Sequence, residues 1–168
     1  MRKSLKSYVE GKIYELKVAG ELLERGFDVY MPVVDSGIDM IAIHRSSKKP
    51  IFIQVKKAKY NAGRKRWDFR NIPMKEVDEL ESVSQGYRSF FIFVLERPDK
   101  NDSYLVLSSK FIKEHQDELY PVENPGRGKS VAMIIEEYSG EMVSIKLKGR
   151  EKGILIRLDN WKDLSHKE

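Results

Sequence analysis

The chain has 168 residues, 40% of them hydrophobic and 34% charged, which is typical of one globular domain with a highly charged surface. It contains no cysteine, which excludes disulfides, thiolate metal sites and cysteine nucleophiles, and its three histidines are scattered. No run of 18 apolar residues is present, so we expect no membrane-spanning helix and interpret the chain as a cytoplasmic protein without a membrane partner.

The net charge of +5 is unevenly distributed along the chain. Residues 1–70 hold 16 Lys and Arg against 8 Asp and Glu, whereas residues 71–168 hold 15 against 18. A basic excess in one half favours a polyanionic partner, most often a nucleic acid. The alternative is a surface that is simply rich in Lys, Arg and Glu.

The first predicted element is an amphipathic helix. Ser7 and Glu10 form the Ser-x-x-Glu pattern of a helix N-terminus, and Gly26 follows the last apolar position as a C-cap does. Gly20 would allow this helix to approach a sheet closely. Apolar residues at spacings of three and four predict the buried stripe, which consists of Val9, Ile13, Leu16, Ala19, Gly20 and Leu23.

Short strands are predicted next, over residues 27–34, 38–44 and 51–60. Pro32 places the first of them at a sheet edge or a bulge. The second is nearly all apolar, so we expect it to be buried on both faces. A segment at 66–72 is interpreted as an extension of the third strand or as a fourth strand.

The rest of the chain predicts a helix at 74–85, an apolar central strand at 88–96, a strand at 103–109 and a helix at 110–120. A loop follows at 121–130, and three further strands form a meander or sheet extension. This order of elements predicts an α/β or α+β sheet flanked by helices.

Three polar residues lie on the predicted strand pair, since Asp39 opens one run and Gln54 and Lys56 close the next. Side chains alternate between the faces of a strand, so Gln54 and Lys56 point the same way. A short turn joins antiparallel strands, which brings the start of one beside the end of the other. We therefore expect Asp39 to lie close to Gln54 and Lys56.

Such a cluster suits the hydrolysis of a phosphodiester. Mg²⁺ binds one or two carboxylates together with waters and phosphate oxygens, and here Asp39 offers a carboxylate oxygen and Gln54 an amide oxygen. Lys56 can orient a water or balance the charge of the transition state. Taken singly, Asp39 is more simply interpreted as a turn residue, and Gln54 and Lys56 as part of an exposed face.

A helix followed by "IDMIAI" at 38–43 and "IFIQVK" at 51–56 resembles the PD-(D/E)XK nuclease superfamily. The resemblance is closest to archaeal Holliday junction resolvases and Mrr-type restriction endonucleases, and it covers residues 7–95. It implies a restriction-endonuclease-like α/β core over 1–120, built from a helix, a three-stranded antiparallel run, a helix and a further strand. A C-terminal β-rich extension at 121–168 is expected to pack on the same domain.

The resemblance also implies roles for individual residues. Asp39, Gln54 and the helix residue Glu15 would hold Mg²⁺, or Mn²⁺ in its place, and Lys56 would assist the attacking water. Glu15 lies at the border of the predicted apolar stripe, which is compatible with this role, although it is more simply a solvated helix residue. Nucleases of this group often act as dimers, so the resemblance also implies a homodimer.

Two positions depart from the pattern of the superfamily. Ile38 replaces a proline, a position that does no chemistry. Gln54 replaces an acid, which removes a negative charge from the cation site and is expected to weaken Mg²⁺ binding. Some members of the superfamily carry Gln at this position, and Asp35 is a candidate for a compensating carboxylate.

The segment at 56–70 holds seven Lys and Arg and one Asp, with aromatic residues interleaved. We expect Trp67 and Phe69, which share one strand face, to pack in the core. The cations are expected to contact phosphates independently of base sequence. They are Lys57, Lys59, Arg64, Lys65, Arg66 and Arg70.

Three functions follow from these patterns. The first is a metal-dependent endonuclease that hydrolyses DNA and recognises backbone or structure more than sequence, with RNA as the alternative substrate. The second is a catalytically weak or inactive nuclease fold that binds nucleic acid, which Gln54 favours. The third is a structural or partner-binding protein whose basic segment meets an acidic partner.

Overall fold

The computed structural model of the protein describes residues 5–33, 37–97, 101–122 and 128–165. The helices are α1 (Leu5–Glu24), α2 (Met74–Ser84), α3 (Ser109–Glu114) and α4 (Lys162–Ser165), with a 3-10 turn at Ala62–Arg64. The strands are β1 (Phe27–Tyr30), β2 (Met40–His44), β3 (Pro50–Asn61), β4 (Arg66–Pro73), β5 (Arg88–Glu96), β6 (Ser103–Ser108), β7 (Tyr120–Val122), β8 (Ser130–Ser139), β9 (Met142–Ile145) and β10 (Ile154–Arg157).

All ten of these strands belong to one sheet, in which β3 is the hub. β3 pairs antiparallel with β2 and β4 and parallel with β5, and the other described pairings are antiparallel. The C-terminal strands join the same sheet because β8 pairs with β4. The prediction of a mixed α/β fold is therefore confirmed, and the division of the chain at residue 120 stays a prediction.

Helices cover the sheet on both faces. α1 and α4 pack against one face, where Val18 and Leu22 contact a cluster that includes Ile53 and Ile92. α2 and α3 pack against the other face, in a second cluster that includes Leu80. β5 lies between the two layers and is buried at every position from 89 to 95, as expected for a central strand.

The prediction for the buried face of α1 is wrong. Val9, Ile13, Leu16 and Leu23 are 48 to 61% exposed, and a Cβ added at Gly20 would meet no atom of another described element within 4 Å. The residues that pack are Tyr14, Glu15, Val18, Ala19 and Leu22. Because α1 carries apolar residues on two of its sides, their spacing alone does not decide which side meets the sheet.

Several boundaries also differ from the prediction. Ser7 lies inside α1, which has already begun at Leu5, so the capping pattern is not used as a cap. Only one face of β2 is buried, since Met40 and Ala42 are enclosed and Ile41 is partly exposed. The strand predicted at 27–34 ends at Tyr30, and the predicted helix at 110–120 ends at Glu114. β7 occupies the end of that predicted helix and the start of the predicted loop. None of the described helices is long and apolar enough to cross a membrane.

Candidate active site

The β2–β3 pairing places Asp39 on the backbone of β3. Met40 pairs with Ile53, and Asp39, one residue earlier, donates its backbone N–H to the carbonyl oxygen of Ile53 at 3.0 Å. In return, the backbone N–H of Val55 donates to the Asp39 carboxylate Oδ2 at 2.7 Å. The carboxylate is thereby held beside Gln54 and Lys56, the neighbours of Val55 on either side.

A break in the sheet edge gives side chains access to this point. β2 pairs with β3 as far as Ile53, and β4 begins to pair with β3 at Lys59. Residues 54–58 therefore have neither β2 nor β4 beside them, although β5 pairs with them along the other edge. We call this stretch the notch, and α1 and α2 reach it from the two faces of the sheet.

A cavity of about 730 Å³ lies at the notch. The four residues predicted to form the site all line it, namely Glu15, Asp39, Gln54 and Lys56. α1 contributes Lys12 beside Glu15, and α2 contributes Glu76 and Glu79. The expected proximity of the strand residues is thus present in the structure, and the border glutamate of α1 joins them.

Two ion pairs flank Asp39. On the α1 side, the Lys12 ammonium contacts the Glu15 carboxylate at 2.5 Å. On the α2 side, Lys56 Nζ donates to Glu76 Oε2 at 2.6 Å. Among the described residues Asp39 itself belongs to no ion pair, so it is the carboxyl group of this constellation that lacks a direct cationic partner.

Burial raises the pKa of Asp39 to about 6. The hydrogen bond from the Val55 backbone opposes this rise, the nearby Glu15 carboxylate adds to it, and Lys56 and Lys12 lower the pKa. A carboxylate that is costly to ionise without a cation gains from binding one, since the cation compensates the buried negative charge.

Gln54 offers a second oxygen to such a cation. Its Oε1 atom is buried and has no hydrogen-bond partner within the described part of the chain. A buried acceptor left unpaired costs about 1 to 3 kcal/mol, and such a group calls for an explanation in a native structure. Cation binding by this oxygen would supply one.

The donor set fits a hard divalent cation that takes few protein ligands. Asp39 and Gln54 supply a carboxylate and an amide oxygen, which suits Mg²⁺ with waters and phosphate oxygens as its remaining ligands. The described residues contain no group of three His, Cys, Asp or Glu arranged to hold a metal ion. Asp35, the candidate for a compensating carboxylate, lies outside the described residues.

The sequence patterns missed Lys12, Glu76 and Glu79, and of these Glu76 is the one that contacts a predicted strand residue. It lies in the first turn of α2, 20 positions after its partner Lys56, and no local motif connects the two. The order of the elements could have indicated that Glu76 lies near the sheet, because a helix that follows a hairpin begins where the last strand of that hairpin ends. The sequence alone did not give the face on which that turn lies.

The predicted phosphate-binding cations fall into two groups. Lys59, Arg64 and Lys65 are exposed at the β3–β4 hairpin, which we call the basic tip. In contrast, Lys57 pairs with Glu96 at 3.0 Å and Arg66 Nε lies 2.7 Å from Asp68 Oδ1, so these two cations are engaged within the protein. The side chain of Arg70 lies outside the described part of the chain.

The aromatic residues of this segment belong to the core, as predicted. Trp67 is fully buried, and its indole N–H donates to the carbonyl oxygen of Glu96 at 3.1 Å. Phe69 packs against the same core, where its ring lies 5.1 Å from that of Phe93. The basic tip therefore extends from a rigid base.

No protein-family model matches the chain, and no curated protein matches it. Among solved structures, the Holliday junction resolvase Hjc of the archaeal hyperthermophile Archaeoglobus fulgidus matches with a TM-score of 0.49 and 16% sequence identity. The match covers 73% of this chain and 82% of that chain. A similarity of this size leaves the function of the present chain to be inferred from its own residues.

Proposed function

We propose that this protein is a metal-dependent endonuclease that hydrolyses DNA phosphodiester bonds on a restriction-endonuclease-like core. The observation that carries the proposal is the convergence of Glu15, Asp39, Gln54 and Lys56 on one cavity at the notch. These residues come from α1, from the position just before β2 and from β3, and a purely structural role does not require them to meet.

Each residue has a chemical role in this proposal. Asp39, Gln54 and Glu15 would hold the divalent cation through their oxygens, and Glu15 also pairs with Lys12. When bound, Mg²⁺ or Mn²⁺ polarises the phosphate and lowers the pKa of a water. The Lys56 ammonium donates to the attacking water or to the phosphate oxygens, on which negative charge develops in the transition state. Attack by that water forms a new phosphorus–oxygen bond and breaks the one to the leaving strand. The proton that the water loses passes to solvent, and the leaving oxygen takes up a proton from solvent.

The test is incubation with plasmid and branched DNA, with and without Mg²⁺ or Mn²⁺. We expect cutting that requires the cation, is stopped by a chelator and is lost in Asp39→Ala and Lys56→Ala. An inactive wild-type protein that still binds DNA would support a second candidate, a nuclease fold that holds nucleic acid without cutting it. Gln54 favours that candidate, because a neutral amide binds a cation more weakly than a carboxylate does. Absence of both cutting and nucleic-acid binding would exclude both.

The basic tip supplies the proposed contact to the DNA backbone. Replacing Lys59, Arg64 and Lys65 together by Ala should weaken DNA binding roughly tenfold or more at low salt, because phosphate contacts release counterions. The slope of log Kd against log salt should fall by about three, roughly one for each lost contact. Fluorescence anisotropy with labelled duplexes of unrelated sequence measures both quantities, and the loss should be the same for each sequence.

A matched control removes three exposed lysines that lie elsewhere on the surface, Lys110, Lys148 and Lys152. This variant has the same net charge as the tip variant. An equal loss of binding in both would mean that overall charge, and not the basic tip, governs the interaction.

The remaining assignments are part of the same proposal. DNA is the principal substrate, with RNA as the alternative, and cleavage assays on matched strands distinguish them. The homodimer is tested by sedimentation of the purified protein with and without branched DNA.

A further inference from the structure

We infer that Glu76 is a positioning residue that holds the Lys56 ammonium at the cavity, an inference that rests on the proposed function. The two side chains form an ion pair of 2.6 Å between Lys56 Nζ and Glu76 Oε2. Both line the cavity that Asp39 and Gln54 also line. Their side chains are only 18% and 37% exposed, so the pair is better shielded from solvent than the ion pairs of Glu79 and Asp78 on the same helix.

Position matters for this lysine because its side chain is long and flexible. A free lysine loses considerable rotamer entropy when it is fixed in one geometry. A carboxylate that already holds the ammonium supplies part of that ordering before substrate binds. The Lys56 ammonium then already occupies the position from which it would contact the scissile phosphate.

The placement of Glu76 is itself fixed by the fold. It lies in the first turn of α2, where the helix dipole favours a carboxylate. Val77 and Leu80 anchor this part of α2 in the core, and the Met74 backbone N–H donates to the carbonyl oxygen of Lys129 at 2.9 Å. The Glu76 carboxylate therefore projects from a rigid support.

Glu76 also adds a negative charge to the site, where Gln54 is neutral. Gln54 is neutral where the superfamily pattern has an acid, so the strand pair itself carries a single carboxylate, that of Asp39. Glu76 brings a further carboxylate to the same cavity from α2. Its negative charge balances Lys56, so that this cation does not repel a divalent cation at Asp39 and Gln54.

Glu79 provides a matched control within the same helix. It lies one turn after Glu76 and lines the same cavity, but it pairs with the exposed Lys75 at 3.4 Å. Glu76→Gln and Glu79→Gln remove the same charge from the same face of α2. Only the first removes the partner of Lys56.

The experiment compares these variants by two readouts. With isotope-labelled lysine, the ammonium cross-peak of Lys56, assigned by its loss in Lys56→Arg, is expected in the wild-type protein and in Glu79→Gln and is expected to vanish in Glu76→Gln. For DNA cleavage, Glu76→Gln should lower kcat by about 10- to 100-fold, the size seen when a supporting partner of a site residue is lost. KM should change less than about threefold, and Glu76→Asp should recover part of kcat.

The outcomes separate this inference from the proposed function. A Lys56 cross-peak that is absent from the wild-type protein, or that persists unchanged in Glu76→Gln, overturns the positioning role whether or not the protein cuts DNA. Equal loss of kcat in Glu76→Gln and Glu79→Gln overturns it as well, because the effect would then be one of charge alone. A wild-type protein that cuts no DNA overturns the nuclease proposal, and the cross-peak still decides the role of Glu76.

Discussion

Replacement of Asp39 by Asn is expected to abolish DNA hydrolysis and, at neutral pH, to increase the stability of the folded protein. Activity should fall at least about 100-fold, since the only carboxylate of the strand pair is lost. Stability should rise because burial raises the pKa of Asp39 to about 6, so that its ionised form is costly in the folded state. The amide oxygen of Asn can still accept the hydrogen bond from Val55, so the local geometry is kept.

The sign of the pH dependence follows from the two states of the carboxyl group. Its pKa is about 3.9 in the unfolded chain and about 6 in the folded protein, so the folded state binds the proton more tightly. The protonated Asp39 carboxyl group therefore makes its full contribution to the free energy of unfolding below pH of about 4. This contribution is lost as the pH rises through about 6. The difference amounts to about 2 to 3 kcal/mol, since one pKa unit corresponds to about 1.4 kcal/mol.

Urea unfolding of the wild type and of Asp39→Asn, measured in chelator across this pH range, tests the expectation. The variant should be more stable above pH of about 7, and the two proteins should converge as the pH falls towards about 4. Mg²⁺ should then narrow the gap at neutral pH, because it binds only the wild-type site. Asp117→Asn is the control, since this side chain is 83% exposed. A variant no more stable than the wild type at neutral pH would contradict the idea that ionised Asp39 destabilises the folded protein because it is buried.

Replacement of Gln54 by Glu is expected to tighten divalent cation binding about tenfold or more while it destabilises the cation-free protein. The buried oxygen at this position lacks a hydrogen-bond partner in the described structure and lies beside Asp39. A second carboxylate there adds attraction for a divalent cation. Without the cation, two carboxylates share one site, which raises the pKa of one of them and costs stability.

Calorimetric titration with Mg²⁺ and Mn²⁺, together with melting curves over a range of cation concentrations, measures both effects. Gln54→Met is the matched control, because it keeps the length of the side chain and removes the oxygen. That control should melt at a higher temperature than the wild type in chelator and should respond less to the cation. Equal cation responses in all three proteins would mean that residue 54 is not a ligand.

The strand pair of the site was predictable because it is local in sequence. The alternation of β3 and the short turn before it determine where Asp39 lies relative to Gln54 and Lys56. Glu15 was reached only through a family resemblance, since the apolar spacing of α1 pointed to the wrong face of that helix. A helix with two apolar sides is oriented by the sheet on which it packs, and that information is not local.

Other features of the site depend on tertiary contacts that no motif encodes. Glu76 reaches Lys56 because α2 crosses from the β3–β4 hairpin to β5, which is parallel to β3. Lys57 and Arg66 belong to a segment whose composition is typical of phosphate binding, yet the fold places Glu96 beside Lys57 and Asp68 beside Arg66. Composition identifies the cations of a segment, and the packing decides which of them remain exposed.

The notch has a consequence for pairing between copies of this chain. A stretch of strand edge without a neighbour is a template for pairing with another chain and therefore for aggregation. Here the Asp39 carboxylate already accepts the N–H of Val55, charged Lys56 and Lys57 lie along the same stretch, and two helices stand on either side. Charged groups along an open edge discourage such pairing. The residues proposed for catalysis therefore also protect this strand edge from pairing with another chain.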